Sequence, residues 1–301
     1  QKLKDVSMKA SDADPCVYYR IKGSYILVLV LYVDDVILAS NSRGMLDDIK
    51  RKLSDAFDMK ELGTLNYCLG IEFKKENGKI TMSQKKYVNE LLDKFKMNDC
   101  NTSATPLTPG ARLTKDMGAK TPEEVEEMSK IPYQNLVGSL MYLATATRPD
   151  ISHSVSVLSQ FNSCYGSEHW VAAKRVLRYL KKTRDYGLTF KKTGNRIVGY
   201  VDADWGASLD DRKSYTGYAF KFAGSCISWE SRKQRTVALS STEAEYMALT
   251  EATKEASYWK RFLKETFNDE QPITLHCDIL GAMLPVKNPV YCVSRLDETR
   301  E

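Results

Sequence analysis

Blocks of apolar and polar residues along the chain predict both strands and helices. Residues 24–40 place two apolar, β-rich stretches on either side of Asp34 and Asp35, which predicts a buried hairpin with two acids near its reversal. A second hairpin is predicted at Asn77 and Gly78, because a type I′ turn requires positive φ at both positions. Hairpin turns need polar residues in any case, so the aspartate pair alone does not indicate catalysis.

Apolar residues recur at helical spacing in three later segments. Ser83 is the predicted N-cap of the first helix, which carries Leu91 on its core face. The second helix is expected to end at Arg148, because a residue that precedes proline disfavours the α region. The third, residues 167–183, sets Leu177 on one side and a basic stripe on the other. The stripe consists of Lys174, Arg178, Lys181 and Lys182.

The basic stripe has two interpretations. Such stripes are most often the solvated faces of helices, and the alternative is contact with nucleic-acid phosphates. The net charge of +5 suits a polyanionic partner, although many unrelated proteins share it. The stripe alone therefore does not decide between the two.

The last third of the chain places acids at the ends of its predicted elements. One β-rich run ends at Asp202 and Asp204, and a long helix carries Glu245 four positions before Leu249 on its apolar face. An alternating strand then ends at Asp278. A mixed sheet could bring strand ends and a helix start to one edge, so Asp202, Glu245 and Asp278 are expected to converge.

Glu245 admits a structural and a chemical interpretation. Thr242 and Glu245 fit the T-x-x-E capping box, in which the glutamate only satisfies the N-cap amide. Alternatively, clustered carboxylates raise one another's pKa unless cations neutralise them. Magnesium suits all-oxygen ligands, and two such ions roughly 4 Å apart can activate a water and stabilise the leaving oxygen of a phosphodiester.

Composition is that of an ordinary soluble protein. The 301 residues are 43% hydrophobic and 28% charged, which is enough for two modest domains. The longest apolar run, residues 25–32, is far shorter than the roughly 20 residues of a membrane-spanning helix. Seven cysteines are scattered without a CxxC pair, so neither a disulfide framework nor a zinc site is predicted, and an intracellular, reducing compartment is expected.

A set of sequence strings, spread in order along the chain, carries a family resemblance. The strings are DPCVYYR, LYVDDVILAS, FDMKELGTLNYCLGIEF, MSQKKYVNELLDKFKM, VGSLMYLATATRPDI, HWVAAKRVLRYL, GYVDADW, SYTGYAF, ISWESRKQ and ALSSTEAEYMAL. Together they resemble the Pol polyprotein of copia-type LTR retrotransposons, particularly those of plants. No single string is decisive, but the ordered set is specific.

The resemblance implies a reverse transcriptase followed by a ribonuclease H. In that family YVDD is the palm hairpin that bears metal-binding acids, which implies this role for Asp34 and Asp35. Residues 69–73 resemble the primer-grip hairpin and residues 133–151 the thumb. GYVDADW, EAEYMAL and HCD match the acidic motifs of ribonuclease H. The implied ligands of magnesium, or of manganese in its place, are Asp202, Glu245 and Asp278.

The sequence departs from the family pattern at both ends. Reverse transcriptases carry a further palm aspartate well upstream of YVDD, and only 33 residues precede Asp34, so the chain alone is not expected to extend a primer. Cys292 stands where the family has a histidine, and Asp297 and Glu298 cannot be carried over as ligands. Further departures after the third acid are Ile279, Leu280 and Pro285.

We therefore predict an α/β (α+β) protein made of palm hairpins, a helical thumb and connection, and a mixed ribonuclease H sheet. The parts are 1–104, the palm and start of the thumb; 105–132, a linker; 133–192, thumb and connection; and 195–301, a ribonuclease H domain without its end.

Two activities are expected, RNA-directed DNA synthesis, incomplete in this chain, and hydrolysis of RNA in hybrids. Expected partners are an RNA:DNA hybrid, a template–primer duplex and the rest of the polyprotein, in cytoplasmic virus-like particles or the nucleus and not at a membrane. The alternatives are a non-catalytic nucleic-acid-binding remnant and a relic without a biochemical role.

Overall fold

The computed structural model describes residues 8–278 of the chain, and its helices and sheets fall into two units. The first unit holds the described residues up to 65 together with 254–272, and the second holds 66–253 and those from 273 onwards. Both helices and sheets are present, which confirms the predicted α/β class. None of the described helices combines the length and the apolar character that crossing a membrane requires.

The first unit contains an antiparallel sheet packed against one helix. Its strands, in spatial order, are β1 Lys9–Ala10, β2 Val17–Lys22, β3 Tyr25–Tyr32 and β4 Asp35–Ser40. Successive side chains of a strand face opposite sides, so Leu27 and Leu29 of β3 share the buried side. Helix α1, Arg43–Ala56, places Ile49 and Leu53 in the same core.

The second unit begins with another antiparallel sheet. Its strands are β5 Tyr67–Cys68, β6 Ile71–Glu76, β7 Lys79–Ser83 and β8 Gly187–Lys191. The predicted hairpin between β6 and β7 is confirmed, because Asn77 and Gly78 have φ values of 49° and 72°. Strand β8 lies far along the chain, yet Phe190 pairs with Ile80 of β7. The helical region between them is therefore closed by strand pairing.

Five helices lie between β7 and β8 in the described chain. They are α2 Lys85–Lys94, α3 Pro122–Ser129, α4 Tyr133–Ala146, α5 Ser152–Ser159 and α6 Ser167–Lys182. Short 3₁₀ turns occupy Lys115–Met117 and Pro149–Ile151. The apolar faces of α2, α4, α5 and α6 form one core, in which Leu136, Leu140 and Leu177 are fully buried. The predicted end of α4 before Arg148 is confirmed.

The predicted N-cap of α2 is wrong. Helix α2 begins at Lys85 after Gln84, which makes no side-chain capping bond. Ser83 is held as the last residue of β7, paired with Gly187 of β8, so it cannot occupy the capping position. Gln84 is itself buried and accepts a hydrogen bond at its Oε1 from the hydroxyl of Thr147, 2.7 Å away. Because Ser83 pairs within the sheet, helix α2 begins one residue later than predicted.

The predicted linker 105–132 contains a helix. Pro122 occupies the first turn of α3 behind Thr121, whose hydroxyl accepts the Glu124 amide while the Glu124 carboxylate accepts the Thr121 amide. This reciprocal capping box satisfies two amide groups that the helix leaves open. Met128 of the same helix is buried. Proline and glycine are therefore compatible with ordered structure here, and the proposed domain boundaries stay a prediction.

The third sheet is mixed, as predicted. Its strands are β9 Val198–Asp204, β10 Tyr215–Phe222, β11 Ser225–Lys233 and β12 Thr274–His276, in the spatial order β11-β10-β9-β12. Helix α7, Ser241–Phe267, separates β11 from β12 along the chain. This long connection allows β12 to pair parallel to β9, while the other pairs are antiparallel.

Candidate metal centre

Strand β9 presents two acids near its carboxyl end. Asp202 and Asp204 are exposed and lie on the same side of the strand, because side chains alternate along it. Ala203 lies between them and is partly buried. Asp202 stands opposite Gly217 of β10, a residue that has no side chain to cover it. The end of β9 thus offers carboxylates to solvent on a firmly paired strand.

Helix α7 supplies a third acid, Glu245, at its fifth residue, and other residues cap the helix. Ser240 precedes the helix, and its hydroxyl accepts a hydrogen bond from the Glu243 amide, 3.1 Å away. The Glu243 carboxylate in turn accepts the amide of Leu239 at 2.7 Å. Ser240 and Glu243 therefore perform the capping that the sequence assigned to Thr242 and Glu245, so that interpretation of Glu245 is wrong.

Glu245 is buried and bonded to the end of β9. Its side chain belongs to a residue that is only 4% exposed. The Ala203 amide donates to Glu245 Oε1 at 3.0 Å and to Asp202 Oδ1 at 2.9 Å, so one N–H joins both carboxylates. Glu245 Oε2 is buried and receives no hydrogen bond from any described residue. One buried oxygen of this acid is therefore left without compensation inside the described fold.

The surroundings of Glu245 disfavour its negative charge. Burial raises the pKa of its carboxyl to about 7, and the charges of Asp202 and Asp278 act in the same direction. The Ala203 amide opposes these effects, because its hydrogen bond favours the ionised form. A carboxyl with this pKa is half protonated near neutral pH unless a cation lies beside it.

Asp278 follows strand β12 and completes the predicted group. Ligand atoms of Glu245, Cys277 and Asp278 all lie within 4.8 Å of one another. Because β12 pairs parallel to β9, its carboxyl end reaches the same edge of the sheet as Asp202. The structure thus brings Asp202 and Asp278 around Glu245. Cys277 was not among the predicted site residues, although a thiol next to a candidate ligand was a signal in the sequence.

The oxygen-rich group fits a divalent cation. Asp202, Glu245 and Asp278 supply carboxylate oxygens, the ligand type that magnesium prefers. The buried, uncompensated oxygen of Glu245 and the raised pKa of its carboxyl both indicate a place for positive charge.

A groove opens beside the exposed acids of β9. Its volume is about 630 Å³, and Asp202 and Asp204 belong to its lining. Its aromatic lining residues are Tyr200, Tyr215, Tyr218 and Trp229. His153 of α5 forms part of the wall, and burial lowers the pKa of its imidazole. The groove's aromatic walls suit stacking of flat rings, whereas the acids at one side would accept a phosphate only through a bound cation.

Asp34 and Asp35 lie at the turn of the first hairpin, which confirms the predicted hairpin. Tyr32 pairs with Asp35 across β3 and β4, and Val33 adopts a left-handed φ of 51° to turn the chain. Both aspartates are exposed. Within residues 8–278, neither belongs to a group of three or more potential metal ligands. Their role in metal binding stays a prediction.

The predicted basic stripe on α6 is partly engaged within the protein. Arg178 Nε donates to the carbonyl of Asn101 at 2.6 Å, and Lys181 Nζ donates to that of Cys100 at 2.8 Å. Lys174 Nζ lies 5.5 Å from the centre of the Trp170 ring, and Lys182 is exposed. Arg178 and Lys181 therefore bind the backbone of residues 100–101. Lys174 and Lys182 make no such carbonyl contact in the described chain.

The segment that resembles a primer grip is a hairpin. Leu69 and Gly70 connect β5 to β6 with φ values of 51° and 71°. The hydroxyl of Tyr142, on helix α4, donates to the carbonyl of Leu69. The predicted thumb segment 133–151 coincides with α4 and the turn after it. The nucleic-acid contacts of both segments stay predictions.

The remaining departures from the family pattern concern the end of the chain. Ile279, Leu280, Pro285, Cys292, Asp297 and Glu298 lie outside the residues that the structure describes. Within residues 8–278, the candidate group consists of Asp202, Glu245, Cys277 and Asp278.

Comparison with known proteins gives consistent matches. Residues 1–109 match the family described as "Reverse transcriptase (RNA-dependent DNA polymerase)". The retrovirus-related Pol polyprotein from transposon TNT 1-94 of Nicotiana tabacum is 43% identical over 292 residues, 96% of this chain and 22% of that protein. The corresponding polyprotein from transposon RE2 of Arabidopsis thaliana is 37% identical over 292 residues, 96% of this chain and 20% of the relative.

A shorter relative is covered over most of its length. A putative transposon Ty5-1 protein of Saccharomyces cerevisiae is 32% identical over 256 residues, which are 84% of this chain and 81% of that protein. By contrast, this chain spans about a fifth of the two plant polyproteins. The similarity nevertheless extends past residue 109 through the sheet that carries the candidate acids.

Proposed function

Because this chain belongs to the Pol polyproteins of copia-type retrotransposons, we propose that its last sheet, with helix α7, is a ribonuclease H that cleaves RNA in RNA:DNA hybrids. Residues 1–109 carry part of a reverse transcriptase domain. The observation that supports the nuclease most strongly is the buried Glu245 carboxylate, which shares the Ala203 amide with Asp202 and lies within 4.8 Å of a ligand atom of Asp278.

The chemistry follows from the positions of the three acids. Asp202, Glu245 and Asp278 would hold two magnesium ions, or manganese, which when bound favour attack of water on a phosphodiester and stabilise the leaving oxygen. Asp202 lines the groove, where a bound cation would allow a backbone phosphate to approach the carboxylate. The hydrogen bond from the Ala203 amide would hold the Glu245 carboxylate in position as a ligand.

Selection of a hybrid would rest on shape and not on base sequence. A nuclease that processes any template must recognise the backbone geometry and the 2′-hydroxyl groups of the RNA strand. The aromatic walls of the groove suit sugar and ring contacts without reading base edges. The proposed substrate is therefore an RNA:DNA hybrid of arbitrary sequence.

We also propose roles for the polymerase part of the chain, together with its partners and its location in the cell. Asp34 and Asp35 would be metal-binding acids of a polymerase palm, exposed at the turn of a paired hairpin. Lys174, Arg178, Lys181 and Lys182 would contact duplex phosphates as far as their internal bonds allow. The partners would be a template–primer duplex and the rest of the polyprotein, inside cells in virus-like particles or the nucleus.

The proposed nuclease is tested by cleavage of a hybrid with a labelled RNA strand. Wild-type chain should cut the RNA only with magnesium or manganese. Glu245→Gln should lower the cleavage rate by more than about a hundredfold, because the transition state would lose several kcal/mol of stabilisation. Glu243→Gln is the matched control, because glutamine also completes a capping box and Glu243 lies in the same turn of α7.

Two outcomes would contradict the nuclease proposal. Equal loss of activity in Glu243→Gln and Glu245→Gln would mean that helix α7, and not the carboxylate, had been tested. A wild-type chain that binds the hybrid without cutting it would favour the non-catalytic nucleic-acid-binding remnant instead.

A further inference from the structure

Cys277 gives the carboxylate group a ligand of different chemistry. Its thiol lies with the carboxylates of Glu245 and Asp278 in one cluster, in which the three ligand atoms are within 4.8 Å of one another. Ligand atoms around one tetrahedral zinc ion are separated by roughly 3.3 to 3.8 Å, given bond lengths of about 2.0 to 2.3 Å. A small contraction of side chains would therefore place all three on one ion.

Glu245 provides independent support for a cation at this cluster. The residue is only 4% exposed, and its Oε2 receives no hydrogen bond from residues 8–278. Burying an ionised oxygen without a hydrogen-bond donor costs free energy, and a directly bound cation removes that cost. Glu245 also contributes a ligand atom to the cluster that contains the thiol, so a cation bound there meets sulfur as well as oxygen.

Sulfur changes which cation the cluster prefers. Magnesium binds oxygen ligands and gains little from a thiol, whereas zinc and cadmium form strong bonds to thiolates. Thiolate sulfur and carboxylate oxygen are both zinc ligands, and three protein ligands leave a fourth position for water. On coordination the Cys277 thiol would release its proton to solvent, because only the thiolate is a ligand.

We propose that Glu245, Cys277 and Asp278 form a binding site for zinc, and that zinc at this site excludes magnesium from two of the carboxylates that the nuclease needs. Zinc would thus be an inhibitor of the chain and not its catalytic ion. The inhibitory part rests on the proposed nuclease function, whereas zinc binding does not depend on it.

The binding part is tested on the full, reduced, metal-free chain. Zinc affinity is measured by calorimetry, and cadmium is used as a probe because its bond to a thiolate gives an ultraviolet charge-transfer band. Cys277→Ser should weaken zinc binding at least about tenfold and remove one cadmium–thiolate band, while magnesium affinity changes by less than about twofold. Asp278→Asn should weaken zinc binding and keep the cadmium–thiolate band.

Cys226→Ser is the matched control for the other cysteines. Cys226 is also partly buried, on β11, but lies outside the ligand cluster, and burial raises the pKa of its thiol. Its substitution should leave zinc affinity unchanged. The proposal is overturned if Cys277→Ser binds zinc as tightly as wild type, or if Cys226→Ser loses as much affinity as Cys277→Ser.

The inhibitory part has a separate readout. Hybrid cleavage in magnesium is measured with increasing zinc, and each variant is normalised to its own zinc-free rate. Cys277→Ser should require at least about tenfold more zinc for half inhibition than wild type, in line with its lower affinity. An equal zinc response would overturn the inhibitory part. Absence of cleavage in wild type without zinc would contradict the nuclease function, while the binding result would still stand or fall by itself.

Discussion

Glu245 is an acid for which the fold provides one hydrogen bond and little other compensation. The Ala203 amide holds one oxygen, while the second is buried beside the charges of Asp202 and Asp278. Its position is therefore unfavourable in the absence of cations and favourable in their presence. A residue kept in this state by the fold is more easily explained by cation binding than by stability.

The pH dependence of stability should report this cost. The Glu245 pKa is raised from 4.5 to about 7, so between these values the folded state binds more protons than the unfolded state. Without divalent cations, the Glu245 contribution to stability should therefore fall as the pH rises from 4.5 to 7. Thermal melts in a chelator should show Glu245→Gln more stable than wild type at pH 8, with a smaller difference at pH 5.

Glu243→Gln provides the comparison for this titration. Glu243 accepts the Leu239 amide outside the cluster, and its substitution should give a melting curve parallel to that of wild type across the same pH range. If the advantage of Glu245→Gln did not grow with pH, the carboxyl of Glu245 would not be the group that titrates.

Gly199 tests how closely β9 must pack. A Cβ at this position would lie 2.4 Å from Leu275 Cδ2 and 2.8 Å from Phe220 Cε1, and both neighbours are buried. Gly199→Ala should lower the free energy of unfolding by about 1 to 3 kcal/mol, as overpacking of a core does. Chemical denaturation measures this change.

Gly138→Ala is the opposite case. Gly138 lies inside helix α4, and a Cβ there would meet no atom within 4 Å. The substitution should stabilise the protein by about 0.5 to 1 kcal/mol, because alanine loses less backbone entropy in a helix. If Gly199→Ala and Gly138→Ala changed the free energy of unfolding by the same amount and in the same direction, close packing around β9 would not explain the glycine at position 199.

At the scale of elements, regular patterns predicted most of the fold. The Asn77-Gly78 turn, the end of α4 and the length of α6 follow from local backbone chemistry and are as predicted. Capping was less predictable, because the segment from Ser240 to Glu245 contains overlapping S/T-x-x-E patterns. Which pattern caps the helix depends on where the preceding chain leaves β11, and that is a tertiary property.

In the candidate site too, the sequence predicted some features, and others depend on the tertiary structure. The convergence of Asp202, Glu245 and Asp278 was predicted from strand ends and a helix start, and the structure places Glu245 beside the other two. The Ala203 amide had no sequence signal, because every residue except proline offers a backbone N–H. Cys277 belongs to no paired cysteine motif, and its position beside Asp278 is the sequence signal that it could join the cluster.

Helix α6 should divide its cations between two roles. Lys182 is exposed, so Lys182→Gln should reduce the log–log salt slope of duplex binding by about one. Lys181 donates to the Cys100 carbonyl, so Lys181→Gln should instead destabilise the fold by about 1 kcal/mol. Fluorescence anisotropy at several salt concentrations and thermal melts distinguish the two. An unchanged slope for Lys182→Gln would mean that the stripe is a solvated helix face and does not contact phosphates.

For the molecule as a whole, strand pairing bridges the predicted linker. Strand β7 pairs with β8 along five residue pairs, and the residues that precede and follow 105–132 share one apolar core. Because of this arrangement, we expect the pieces on either side of the proline-rich segment to stay together in the second unit. Loop composition describes flexibility of the local chain and carries no information about long-range pairing.

A cut in the predicted linker should leave the pieces together. Gly110 has a left-handed φ of 71°, and no atom lies within 4 Å of where its Cβ would be, so a protease site inserted there should be accessible. After cleavage, the two fragments should elute together under native conditions and separate only in denaturant. Separation under native conditions would show that 105–132 joins independent domains.

A divalent cation site formed by Asp202, Glu245 and Asp278 should make the thermal stability of the protein depend on magnesium. For a dissociation constant of about 1 mM, about 10 mM magnesium adds about 1.4 kcal/mol of stability, or roughly 3 to 6 °C. Sodium chloride of matched ionic strength serves as the reference. Wild type should show this increase and the Asp202→Asn, Asp278→Asn double variant should not; equal responses would contradict the claim.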